Sequence, residues 1–265
     1  MKQFSFAERL WLQMGLFLLA VIPVTLAAWA LDPRLFNGIP IWIKPLKFEV
    51  STAVHLITLA VLARFLSDAA RQSMWIKVVA VLSAVASLEV YFVIVQAARG
   101  VGSHFNDSTV MDQIIYALMG VGALILIMPA LVLGLRFLFA QNSDRLTPGL
   151  KLGAGLGLLL GFFLTVGLGG YMSFQPTGHW VDAPATDAGG VPVVGWTRQG
   201  GDLRVAHFFS THLMQVLPFI GFVADRVLGV ESAWPRRLVW LSAFAGVGIV
   251  IATFMQALAG QPFWG

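Results

Sequence analysis

The chain has 265 residues, 58% of them apolar and only 11% charged, and it contains no cysteine. A soluble domain is about a quarter charged, so this chain has too little polar surface to cover a water-borne globule. Disulfides, iron–sulfur clusters and cysteine nucleophiles are excluded. The net charge of +4 comes with no basic run and no nucleic-acid motif, and it reads as the lysine and arginine excess of membrane loops.

Several apolar runs exceed the roughly 20 residues needed to cross a bilayer. Taken in order they predict seven helices, at about residues 6–30, 45–66, 74–98, 112–140, 150–174, 203–227 and 238–259. The expected fold is all-α: a polytopic seven-helix membrane bundle in one integral domain. Helix one is preceded or opened by Lys2 and Arg9. A cleaved signal peptide is its rival reading, since Ala28-Trp29-Ala30 resembles a small-x-small cleavage site, but the apolar stretch is long for that. A loop with Asp32, Pro33, Asn37, Gly38 and Pro40 leads past Trp42, an interfacial residue type, to a proline-marked start at Pro45. Helix five is rich in glycine, which allows close helix contact in lipid. The longest loop, about residues 175–201, is too polar and broken to span. Helix six has Asp202 as its expected N-cap and Pro218 as its expected bend.

Alternate loops fall on opposite sides. One set holds Lys2, Arg9, Arg64, Arg71, Lys77, Arg136, Arg145, Lys151, Arg226, Arg236 and Arg237; the other holds Arg34, Lys44, Lys47, Arg99, Arg198 and Arg204. Eleven basic residues against six predict a cytoplasmic N-terminus and an outer C-terminus, as in a bacterial inner-membrane protein.

With that topology the intramembrane polar groups gather in the outer half to middle. His55 lies about ten residues into helix two, with Ser51, Thr52 and Thr58 on its face. Glu89 is the deepest acid, and shares a face of helix three with Gln96 and Arg99. On helix six, His212 and Gln215 share a face, while His207 aligns with Arg204 and Thr211. His207 and His212 are five apart, about 140° around a helix, which suits them poorly to chelate one ion together. A polar funnel open to the outer face is the simplest assembly.

Each residue has two readings. His55 fits a metal ligand with Ser51 behind it, or packing glue between helices. Glu89 fits a general base, metal ligand or proton carrier, or a neutral acid bonded to His55 or Gln96. Arg99 fits a clamp for a carboxylate, phosphate or haem propionate, or part of an ordinary helix stop. Arg204 fits the same clamp role, or pairing with Asp202. His179 reads as a solvated loop histidine.

The motifs PLKFEVS, QAARGVGSHFND and GWTRQGGDLRVAHFFSTHLMQVLP resemble a group of bacterial multi-pass membrane proteins over most of the chain, a likeness that carries no activity with it. The chain is also similar to the metal-dependent membrane hydrolases of the alkaline ceramidase and progestin-receptor kind. These have seven spans, a serine and histidine four apart on helix two, an acid on helix three and a paired histidine motif on the last span. Ser51 and His55 match, and Glu89 stands where an aspartate is expected. His207 and His212 depart in both helix and spacing.

Three functions stay open. The first is an outward-facing metal or haem b protein using His55, His212, His207, Arg99, Arg204, Gln96 and Gln215. The second is a zinc-dependent hydrolase of a lipid-like substrate, with His55, His212 and one of His207 or Glu89 as ligands and Glu89 as the candidate catalytic residue. The third is a carrier, receptor or assembly factor for a small-molecule or lipid ligand.

Overall fold

A computed structural model describes residues 3–104, 106 and 109–265. Lys2 of the charge argument, and Phe105 and Asp107 of the loop motif, lie outside them. Seven helices are long and apolar enough to cross a membrane, which makes the chain a multi-pass protein in contact with a bilayer. The described residues form two compact units, one ending at Pro129 and the other beginning at Ala130.

In the first unit, α1 (Phe6–Leu31) opens on a capping box. Ser5 accepts from the Glu8 N–H, and the Glu8 carboxylate accepts from the Ser5 N–H at 2.9 Å. The next residues form a hairpin, β1 (Leu35–Phe36) against β2 (Ile39–Pro40), that turns through Asn37 and Gly38. Both turn residues have positive φ, 51° and 80°, the backbone of a two-residue type I′ turn. Asn-Gly flanked by apolar residues is the signal for it, which a reading of this stretch as loop passes over. α2 (Ile43–Ala63) packs on α1, and the single turn α3 (Asp68–Arg71) follows.

The third span differs from the expected single helix. It consists of α4 (Met74–Ala86) and α5 (Glu89–Arg99), parted at Ser87 and Leu88. The cause is local: Ser83 and Ser87 turn their hydroxyls back onto the carbonyls of Ala80 and Ala84. Leu88, Val90 and Tyr91 then donate to carbonyls three residues back, those of Val85, Ser87 and Leu88, which tightens the backbone. α5 stops at Gly100, φ 73°, with the Val101 N–H returning to Gln96 in a Schellman closure. The first part of α6 (Val110–Phe139), up to its internal Pro129, completes this unit.

The second unit holds the end of α6, then α7 (Pro148–Phe174), α8 (Leu203–Leu228) and α9 (Trp234–Leu258). Glycine brings α7 and α8 into backbone contact: Gly153 packs on the carbonyl of Leu217, and Gly221 on that of Gly149. Buried Asp225 of α8 receives the N–H groups of Gly149 and Leu150, at 2.9 and 2.8 Å, and so caps α7. The long loop before α8 is folded over it. Its strand β3 (Trp180–Val181) pairs with β4 (Gly201–Asp202), directly before the Asp202 N-cap.

Candidate functional site

Within the first unit, α2, α5 and α6 bring Glu89 and His55 to one face of α6. Glu89 is the first residue of α5, at the break in the third span. Its Oε2 is buried and makes no hydrogen bond among the described residues, His55 and Gln96 included. It rests where a side chain at Gly122 would stand: an added Cβ there would lie 2.6 Å from Oε2. One turn further along α6, the His55 Nε2 lies 3.2 Å from the carbonyl oxygen of Leu126. A carbonyl only accepts, so this nitrogen carries the proton and donates. Pro129 follows three residues later in the same helix. His55 thus links α2 to α6. Ser51 is exposed and donates to the Phe48 carbonyl on its own helix.

At the Arg99 end of α5, Gln96 is buried and structural. It accepts from Arg99 Nη1 at 2.8 Å and donates to the Gly102 carbonyl, which pins the turn after the helix. Arg99 itself is exposed. His104 sits between Phe48 and Tyr116, with ring centroids 5.1 and 6.3 Å away, and its Nδ1 is 3.0 Å from Ser103 Oγ. Burial, with Lys44 adding to it, pushes the His104 imidazole down from 6.5 to about 3. Between those two values the unfolded chain binds the extra proton and the folded one does not, so stability is full above 6.5 and falls as pH drops toward 3. The unfolding midpoint of purified protein should therefore fall through this window, and should fall less in His104→Phe. Equal slopes in the two proteins would show that His104 is not the group responsible.

In the second unit, Arg204 is committed to the fold. It bonds Asp202 through Nε (2.9 Å) and Nη2 (2.7 Å), and Asp187 and the Gly195 carbonyl through Nη2, both at 2.8 Å. It thus ties the loop before α8 to the first turn of that helix. His179 differs from the expected solvated residue. It is buried against Trp180, with ring centroids 3.8 Å apart, and its Nε2 is 3.7 Å from Asp187 Oδ1. Burial pushes the His179 imidazole below its usual range. Burial alone would raise Asp187, but the adjacent His179 and Arg204 hold its carboxyl below the ordinary value.

His207 and His212 face apart, as five-residue spacing requires. His207 lies against α7 beside Gly169, and its Nδ1 is buried without a hydrogen-bond partner among the described residues. His212 stacks on Phe208, with centroids 4.0 Å apart, and directs Nδ1 at the Phe208 carbonyl at 2.7 Å. That bond places the proton on Nδ1 and leaves Nε2 with its lone pair. Gln215 is half-buried on the same helix.

Of the residues expected at a site, the structure thus joins Glu89 with His55 on α6, and Gln96 with Arg99. Among the described residues no three of His, Asp or Glu are placed to hold one metal ion. The Gly122 seat and the Asp187 and His179 partners of the loop are additions that sequence reasoning missed; no local pattern announces any of them. No protein-family model, curated protein or solved structure matches the chain.

Proposed function

We propose that this is a multi-pass protein of a bacterial inner membrane, with its N-terminus in the cytoplasm and its C-terminus outside, that binds a small cationic group at Glu89. The group would be a metal cation or the ammonium head of a small ligand, and the protein a carrier, receptor or assembly factor. The observation that carries this reading is the buried Glu89 Oε2, without a hydrogen bond, at the break in a membrane-spanning helix. A carboxylate at that depth is costly and is retained where it meets a positive partner. Glu89 is ten residues from Arg99, roughly 15 Å along α5 and so near mid-membrane. Discontinuous helices at that level are a recurrent setting for ion and ligand sites. The eleven-to-six division of basic residues supports the orientation.

Purified protein should be stabilised against heat by at least one of sodium, zinc and choline. Glu89→Gln keeps the side chain's shape and should abolish that shift. The reading fails if none of the three probes acts on the wild type, or if the variant responds equally.

A second reading, a haem b or zinc centre, is favoured by His212. Its proton is held by a backbone carbonyl and its Nε2 lone pair is left over, the arrangement of a ligating imidazole. A Soret band that moves on reduction would support haem, and stoichiometric zinc without a chromophore would support zinc. Colourless, metal-free protein removes both.

A further inference from the structure

A cavity of about 430 Å³ opens beside the start of α1, lined by Phe4, Phe6, Arg9, Asp68, Arg71 and Lys77 among others. We propose that it receives the phosphodiester head of an anionic phospholipid, independently of any ligand at Glu89.

The charges are unevenly answered. Arg71 is buried and matched: its Nη1 lies 3.2 Å from Glu8 Oε1 and its Nε 3.2 Å from Asp68 Oδ1. Arg9 donates only to the Phe4 carbonyl, and neither Arg9 nor Lys77 has an ion-pair partner among the described residues. Two cations from different helices, α1 and α4, therefore line one cavity with no carboxylate of their own. Two such cations on one cavity suit a phosphate.

The rim selects a lipid over a soluble anion. Met74 and Trp75 are each 70% exposed next to the basic residues, and Phe4 and Phe6 are exposed as well. Successive crossings put the start of α1, the end of α2 and the start of α4 on the same side of the membrane. There a headgroup meets the cations while its chains lie along the apolar side chains. Basic pockets flanked by tryptophan at this level are a lipid-binding arrangement. Free phosphate would use none of the apolar rim.

The full-length protein in detergent would be titrated with dioleoyl phosphatidylglycerol, dioleoyl phosphatidylcholine and inorganic phosphate, with bound lipid counted by native mass spectrometry. Phosphatidylglycerol should be retained over phosphatidylcholine. At about 1 kcal/mol per basic residue, Lys77→Gln should weaken it about fivefold and the pair Arg9→Gln with Lys77→Gln about 30-fold. Arg145→Gln, in a different loop, should leave it unchanged. Equal retention of the two lipids, or undiminished phosphatidylglycerol binding in the Lys77→Gln protein, overturns the proposal. So does displacement of the lipid by millimolar inorganic phosphate, which would make free phosphate the occupant.

Discussion

Arg204→Ala is expected to destabilise the second unit by about 3–5 kcal/mol, the cost of breaking a buried ion pair from one side. Asp202 is fully buried, Asp187 nearly so, and Arg204 is the cation that both contact. Without it two carboxylates remain in a poorly solvated loop, and the Gly195 carbonyl loses its donor. Arg204→Lys should fall between wild type and alanine, because one ammonium cannot reproduce the planar fork that reaches Asp202, Asp187 and Gly195 together. Adding Asp187→Asn to Arg204→Ala should recover part of the loss. The sign with pH is defined. The Asp187 carboxyl is held below its ordinary value in the folded state, so its contribution is present above that value and lost as pH falls through the lowered one. The gap between wild type and Arg204→Ala should therefore narrow in acid. Unfolding midpoints in detergent, with proteolysis across residues 182–200 as a local readout, measure both effects. An Arg204→Ala protein as stable as wild type, with an equally resistant loop, would mean that the ion pairs do not hold the loop to α8.

Gly153→Ala is expected to cost about 1–3 kcal/mol, and Gly153→Leu more, through overpacking of α7 on α8. An added Cβ at Gly153 would stand 2.3 Å from the Leu217 carbonyl oxygen and 2.9 Å from its carbon. These are backbone atoms, so no side-chain rotation relieves the clash and the helices must separate. Gly221 is as tightly placed, 2.2 Å from the Gly149 oxygen, and should behave alike. Gly167, on the same glycine-rich helix, has nothing within 4 Å of its added Cβ. Gly167→Ala should be neutral, or stabilising by up to about 1 kcal/mol from helix propensity. Unfolding by detergent titration separates the two cases. Equal effects at Gly153 and Gly167 would show that the glycines matter only through propensity, and that the close backbone approach is not what holds α7 to α8.

The particular elements show which features a local reading reaches. The α1 span was expected at 6–30 and is Phe6–Leu31; the α8 span was expected at 203–227 and is Leu203–Leu228. Hydropathy and caps such as Asp202 are properties of neighbouring residues, so they are visible in order along the chain. The break between α4 and α5 is also local, but it lies in serine hydroxyl bonds that leave the apolar run unaltered. Hydropathy therefore passes over it.

The amino-acid order by itself established the number of spans, the predominantly helical class and the divergence of His207 from His212. Each of these depends on composition or helical period alone. The commitments of the polar side chains came from the fold. Arg204 reads as a partner of Asp202, and only the fold adds Asp187, seventeen residues away. His55 looks like a ligand until α6 offers it the Leu126 carbonyl. Glu89 has its space only because Gly122, 33 positions later, has no side chain. Hydrophobic burial and helical period act over a few residues, whereas a buried polar group is satisfied by whatever long-range packing places beside it.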